Sequence, residues 1–311
     1  MKKIIRINII AMITLFAISY LYGDGGNAII VKYSSDGKYI CKWGNKGNGD
    51  GAFYYPEGIA IDGKGNVYIA DRSLSRIQKF DSNGKYLGKW GSHGSKDDQF
   101  DNPIGIALDG KGNIYVADCR NNRIQKYNSD GKFVNKLPIS FSYPAKIAVD
   151  SKENLYVADE EGSQIHIFNQ EGKLLSKWTG KFKEPISIAI DKKDNVYVAD
   201  RKSSRIQQYN EKSKYLRELK NYEKEDGNFS GVIEIAIDNN KDIVYVLDWG
   251  SGRIHKFNSE GKFIGAWTRY GFKPEEISIN PGSSIAIAVD NNGNVYIVET
   301  GECSCIINEG K

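Results

Sequence analysis

Residues 66–80 read "NVYIADRSLSRIQKF": an apolar run ending in Asp71, a short polar stretch, and an alternating run opened by Arg76. Nearly the same phrase returns as "NIYVADCRNNRIQKY" at 113–127 and "NVYVADRKSSRIQQY" at 195–209. A phrase that recurs at a fixed period marks one supersecondary unit used many times. The Asp that ends each "GIAID"-like run falls at Asp62, Asp109, Asp150, Asp191, Asp238 and Asp290, giving spacings of 47, 41, 41, 47 and 52 residues. Tyr68, Tyr115, Tyr156, Tyr197, Tyr245 and Tyr296 recur in step. Six units of this length match the blades of a β-propeller, each a four-stranded sheet.

In the first unit, strand A is "GIAID", strand B "VYIAD", strand C "RIQKF" and strand D "KYLGKW". "GKGN" and "DSNG" are the turns, and "RSLS" is the B–C loop. Gly, Asn and Asp stand where turns need them, with β-branched and aromatic residues between. Strands A and B are almost continuously apolar, whereas C and D alternate. Continuous runs fit strands covered on both faces, and alternation fits half-solvated ones. Radially stacked blades produce that gradient from the inner strands outward. No 3.6-residue period supports helices.

The units lie near 56–90, 103–137, 144–178, 185–219, 232–267 and 284–308. The last has strands A (285–290) and B (295–299) and stops before strand D. A hairpin at 29–43, "IIVKYSSDGKYICKW", copies a C–turn–D pair. The N-terminus is therefore expected to complete the sixth blade and remove the open edges. Two segments, 29–33 and 303–307, compete for its strand C. The fold class is all-β, a six-bladed propeller of four-stranded antiparallel blades.

Composition agrees. The 311 residues are 40% hydrophobic and 26% charged, a folding chain and not a disordered one. Residues 1–8 are short and basic, and 9–23 are apolar and uncharged. This reads as a secretory signal or N-terminal membrane anchor over 1–23, with the domain at 27–311 working outside the cytoplasm. The expected locations are secreted, periplasmic or cell-surface. Net charge is +4, and +2 once Lys2, Lys3, Arg6 and Asp24 are set aside, so no nucleic-acid partner is expected.

Residues 47–91, "GNGDGAFYYPEGIAIDGKGNVYIADRSLSRIQKFDSNGKYLGKWG", resemble an NHL repeat with its lead-in. The resemblance covers 27–311 in six copies and implies a six-bladed propeller. It also implies a binding platform for protein or RNA, or kinship with amidating lyases and lactonase-like hydrolases. Fold alone does not choose among these.

Four acids at the end of strand B face an Arg at the start of strand C: Asp71/Arg76, Asp118/Arg123, Asp200/Arg205 and Asp248/Arg253. These read as structural ion pairs pinning the B–C loops, not as a cation-binding ring. The strand-A aspartates precede Gly- and Asn-rich turns and read as Asx-turns. Trp43, Trp90, Trp178 and Trp267 end strand D and read as packing residues.

An enzyme of this fold would place ligands at the start of strand A, where Glu57, Lys146 and Glu234 are the charged residues. The chain has only three histidines, and His93, His166 and His255 do not converge into a zinc site. No catalytic residue, metal or cofactor is assigned. The B–C loops carry Arg72, Arg120, Asn121, Asn122, Arg201, Lys202 and Trp249, a candidate binding face on a rigid scaffold. Cys41 is a candidate disulfide partner for Cys303 or Cys305 if 303–307 forms strand C. The resulting expectation is an exported, non-catalytic, monomeric scaffold for a protein, peptide or glycan. The alternative is a lyase or hydrolase acting at the channel mouth.

Overall fold

A computed structural model describes residues 27–220, 229–268 and 284–301. Six four-stranded antiparallel sheets stand in a ring. Blade 1 comprises Pro56–Ile61, Val67–Asp71, Arg76–Phe80 and Tyr86–Trp90. Blades 2 to 5 repeat this order in sequence. The six A strands, the first in each blade, pack one against the next and close the inner circle.

Blade 6 combines Ser284–Val289 and Val295–Gly301 with Asn27–Tyr33 and Tyr39–Trp43 from the other chain end. Seven aligned pairs, from Asn27 with Gly301 to Tyr33 with Val295, hold this joint. The 29–33 segment therefore occupies the strand C position, and strand D with Cys41 lies beside it. The candidate disulfide of Cys41 with Cys303 or Cys305 falls outside the described residues, as do residues 1–26 and the candidate signal.

Burial follows the expected gradient only in strands B and D: strand C, Arg76–Phe80, is buried everywhere but Lys79, and the innermost strand A is half-buried at Glu57, Ala60 and Ile61. Val67–Asp71 is buried at every position, while Tyr86–Trp90 alternates between half-buried and exposed. No blade makes a core alone. Ile59, Val67, Ile69 and Phe80 of blade 1 pack with Ala28, Ile30, Tyr296 and Val298 of blade 6. Each such large side chain taken from water contributes about 1.5–3 kcal/mol, and both sheets supply the cluster.

The strand D tryptophans stitch blade to blade. Trp43 meets Tyr296 of its own blade edge-on at 6.1 Å and Phe80 of blade 1 at 6.2 Å. It lies against Gly84, at φ 84°, where any Cβ would strike the indole. On the rim formed by the A–B turns, Asp62 accepts from the N–H groups of Lys64 and Asn66 at 2.9 and 2.8 Å. The Asn66 amide and the Tyr68 hydroxyl donate to its other oxygen. These are Asx-turns locked by a side-chain clamp.

Candidate functional site

The opposite rim, formed by the B–C and D–A loops, surrounds the mouth of the central channel. One backbone bond builds it in each of the first five blades. The residue after strand B donates its N–H to the carbonyl of the residue just before strand A: Arg72 to Tyr55, Cys119 to Asn102, Glu160 to Tyr143, Arg201 to Glu184, and Trp249 to Gly231. In four of these blades the next residue is a Pro, which holds its predecessor extended and fixes where the pair stands.

Below that ring each strand A carries a bulge, such as the register shift between Pro56 and Gly58 or between Pro144 and Lys146. Bulges re-aim side chains at rims. At the equivalent positions stand Gly58, Gly105, Lys146, Ser187, Glu234 and Ala286. Neighbouring strands approach so closely that a Cβ on Gly58 would collide with the carbonyl of Ile104. The Ser187 hydroxyl accepts from Ile235 N–H in blade 5 at 3.1 Å, and Glu234 accepts from Ile287 N–H in blade 6 at 2.9 Å.

Lys146 crosses the axis. Its ammonium lies 2.6 Å from Glu234 in blade 5 and donates to the Glu57 carbonyl in blade 1 at 3.4 Å. Blade 3 adjoins neither, so this side chain plugs the channel with an ion pair, both partners about 90% buried. Burial pushes the Glu234 carboxyl up, and the neighbouring Lys146 opposes it without cancelling it.

Above this floor Arg72 pairs with Glu57 at 2.9 Å and lies over the Tyr55 ring. Arg201 bridges Glu160 and Glu184. Burial raises the Glu160 carboxyl, Arg201 pulls it down, and Glu184 pushes it up again. The buried Asn102 amide donates to the Tyr143 hydroxyl, whose pKa is pushed up to about 12, mainly by burial. Cys119 is fully buried beneath the mouth, its thiol held protonated by burial and donating to the Pro144 carbonyl. It is no nucleophile.

Of the seven residues read as a binding face, Arg72 and Arg201 are drawn inward onto carboxylates. Arg120 is more exposed, 3.9 Å from Asp101. Asn121 is occupied by the Gly94 carbonyl and Asp118, and Asn122 closes the Cys119–Asn121 turn in a left-handed conformation. Lys202 is exposed, and Trp249 is 42% exposed. The structure brings Glu57, Lys146 and Glu234 together as one cluster. Sequence reasoning did not single out Tyr55, Asn102, Tyr143, Glu160 or Glu184. The signal was present: each is adjacent either to a strand-opening Pro or to a strand-closing Asp.

The four Asp/Arg pairs face each other in register, but only one is the ion pair that the sequence suggests. Arg123 lies 2.8 Å from Asp118. In the other three the hydrogen bonds of the acid go to loop N–H groups. Asp71 accepts from the N–H groups of Tyr54, Tyr55 and Leu74, while Arg76 opposite it donates to loop carbonyls. Asp200 accepts from the N–H groups of Lys183, Glu184 and Ser203, and the acid beside Arg205 is Glu218, at 3.8 Å. Arg253 stands across the hairpin from Asp248. Asp248 accepts from the N–H groups of Ser230 and Gly231 and from the Ser251 hydroxyl, and His255 lies 3.6 Å away. The physical reason is common to all three. A buried acid at the end of strand B meets the backbone N–H groups of the incoming D–A loop, so these acids anchor loop backbone.

His166 and His255 are buried, His166 3.2 Å from Asp159, and each histidine sits with the acid of its own blade. Among the described residues no three His, Cys, Asp or Glu cluster to hold a metal ion.

No helix among the described residues is long and apolar enough to cross a membrane. No curated protein matches the chain. Among solved structures it is similar to a catalytically inactive histidine-to-alanine variant of virginiamycin B lyase from Staphylococcus aureus with quinupristin. That match has 15% identity, covers 84% of this chain and 85% of the other, and has a TM-score of 0.60. A streptogramin B lyase structure matches at 16% identity, with 78% and 76% covered and a TM-score of 0.58. These likenesses show the fold. The NHL repeat model matches residues 53–80, 100–127, 141–168 and 182–209, and the chain is thus a six-bladed β-propeller carrying four NHL repeats.

Proposed function

We propose that this propeller is an exported, non-catalytic scaffold whose mouth face docks a protein or peptide. Export rests on the basic and apolar character of residues 1–23. One observation carries the binding reading: at the mouth, Glu57, Glu160, Glu184 and Glu234 each sit against a cation. General acid–base work needs an accessible group able to exchange a proton with substrate. Here the buried carboxylate is sealed under Lys146, and the accessible ones are committed to arginines. What remains presented to solvent on this rim is Trp249, Tyr54 and Tyr55, 42%, 52% and 39% exposed, and the outer parts of Arg120 and Arg201. Aromatic and Arg side chains on a preformed rim are the typical anchors of protein recognition, and stacking on Trp249 would also suit a glycan.

A second reading, a lyase or hydrolase at the channel mouth, draws on the shared fold and on the raised carboxyls of Glu234 and Glu160. The lyase neighbour was inactivated by replacing a histidine. In this chain His166 and His255 are buried within their blades, and His93 lies in a D–A loop. The two readings separate by assaying lactone, ester and cyclic-depsipeptide turnover with wild type and Glu57→Ala. The scaffold reading expects no turnover by either protein. A turnover that Glu57→Ala abolishes would establish the enzyme.

A further inference from the structure

Blades 1 and 2 contain a recognition device that blade 4 keeps without its occupant. In blade 1, Arg76 donates to the carbonyls of Asn48, Gly49 and Ala52. Beside it Gln78 accepts from Gly51 N–H and donates to Ala52. Blade 2 repeats this: Arg123 grips the carbonyls of Ser95, Lys96 and Gln99, and Gln125 grips Asp98 N–H and the Gln99 carbonyl. In both, an Arg–Gln pair on strand C reads the backbone of a long D–A loop, 44–55 or 91–102.

The D–A loops of blades 3 and 4 are shorter, as the 41-residue spacings against 47 require, and these two blades respond differently. Blade 3 has given up the pair: Gln164 and His166 stand there, and His166 turns to Asp159. Blade 4 keeps both residues, as Arg205 and Gln207, without a long loop to hold. Arg205 is half-exposed, with Glu218 at 3.8 Å, and Gln207 accepts from the Tyr209 hydroxyl. The missing loop leaves a shallow cleft of about 390 Å³, lined by these two residues with Lys181, Lys183, Lys202 and Asp200. Asp200 is committed to loop N–H groups, and Lys181 reaches Ser213. Lys183 and Lys202 are exposed to solvent.

We propose that this cleft binds a short acidic peptide segment of a partner protein, seated as the D–A loops sit in blades 1 and 2. Arg205 and Gln207 take its main-chain carbonyls and an N–H, and Lys183 and Lys202 take its carboxylates. The geometry is borrowed from the protein's own loops, and the charge follows from four cations, Lys181, Lys183, Lys202 and Arg205, against two carboxylates: Asp200, committed to loop N–H groups, and Glu218 beside Arg205. This deepens the binding reading, but it is tested with a defined peptide and so stands or falls apart from the mouth.

The probe is a fluorescein-labelled peptide copying residues 94–101, GSKDDQFD, added to the full chain at low salt and followed by anisotropy. Saturable binding is expected, weakened about tenfold or more by Arg205→Ala, the scale of losing a charged multidentate donor. Lys183→Ala with Lys202→Ala should weaken binding and flatten its salt dependence. Arg205 is half-exposed, and an unchanged melt verifies that its variant is folded. The proposal is overturned if no saturable binding occurs or if Arg205→Ala binds equally well. It is also overturned if single-stranded RNA binds the cleft and displaces the peptide at equal concentration.

Discussion

The two rims of the ring share blades and strands but differ in how far the blades vary. At the A–B turns, blades 1, 2, 3, 4 and 6 make the same bonds around Asp62, Asp109, Asp150, Asp191 and Asp290, each clamped by an Asn four residues on. At the mouth, the residue after the strand B acid is Arg72, Cys119, Glu160, Arg201, Trp249 and Thr300 in turn. Six copies of one unit act as internal controls for each other. A position that all blades need for folding stays the same, and one that the backbone tolerates in any form is free for a ligand. The mouth therefore owes its character to differences between repeats, over a backbone bond that is the same in the first five blades.

The largest effect is expected where the mouth meets the core. Lys146→Ala leaves Glu234 buried without its cation and should cost about 3–5 kcal/mol by denaturant unfolding. Replacing both residues by methionine should recover most of that loss. If Lys146→Ala alone is harmless, the axial ion pair is not formed in solution.

On the opposite rim, Asp191→Ala removes the acceptor for the Lys193 and Asn195 N–H groups, the Asn195 amide and the Tyr197 hydroxyl. A loss of about 1–3 kcal/mol follows, with mouth-face binding unchanged. An equal loss of binding would erase the division between the rims.

A smaller effect separates blade 3 from blade 2. Burial pushes Asp159 up, but His166 and the N–H groups of Tyr143 and Ser142 outweigh it and hold the carboxyl below its ordinary 3.8. Its stabilisation is complete above pH 3.8 and is lost as pH falls through the folded value. Asp118 is the reverse: burial dominates over Asn121 and Arg123, its carboxyl is raised, and stability falls as pH rises from 3.8 towards the folded value. His166→Gln should move Asp159 towards the Asp118 condition. Melts on the acid side of pH 3.8 should then fall less steeply than in wild type. An unchanged acid limb would show that His166 does not hold the carboxylate charged.

The ring was legible because the repeat is sequence-local. Strand B, Val67–Asp71, falls where its continuous apolar run puts it, and strand C, Arg76–Phe80, where its alternation does. The claimant for strand C of blade 6 was not legible, because 29–33 and 303–307 are both short apolar runs and pairing across the chain ends leaves no local trace. The mouth was legible as a set of charged positions but not as contacts. Lys146 meets Glu234 across the axis, and Arg201 reaches back to Glu160 in the preceding blade. The partners of Asp71 and Asp248 were missed for a related reason. Register puts Arg76 and Arg253 opposite them, but the N–H groups that these acids bind come from loops entering from another blade.

The most direct measurement is a matched charge reversal on the two rims of the full chain, read by capture of binding partners from an extract of the cells that make it. The mouth variant is Arg72→Glu with Arg120→Glu and Arg201→Glu. The control carries Lys64→Glu, Lys111→Glu and Lys193→Glu, three exposed residues of the A–B turns. The prediction is that the mouth variant loses its partners while the control retains the wild-type set. Equal retention by both, or loss by the control alone, would contradict the assignment of binding to the mouth.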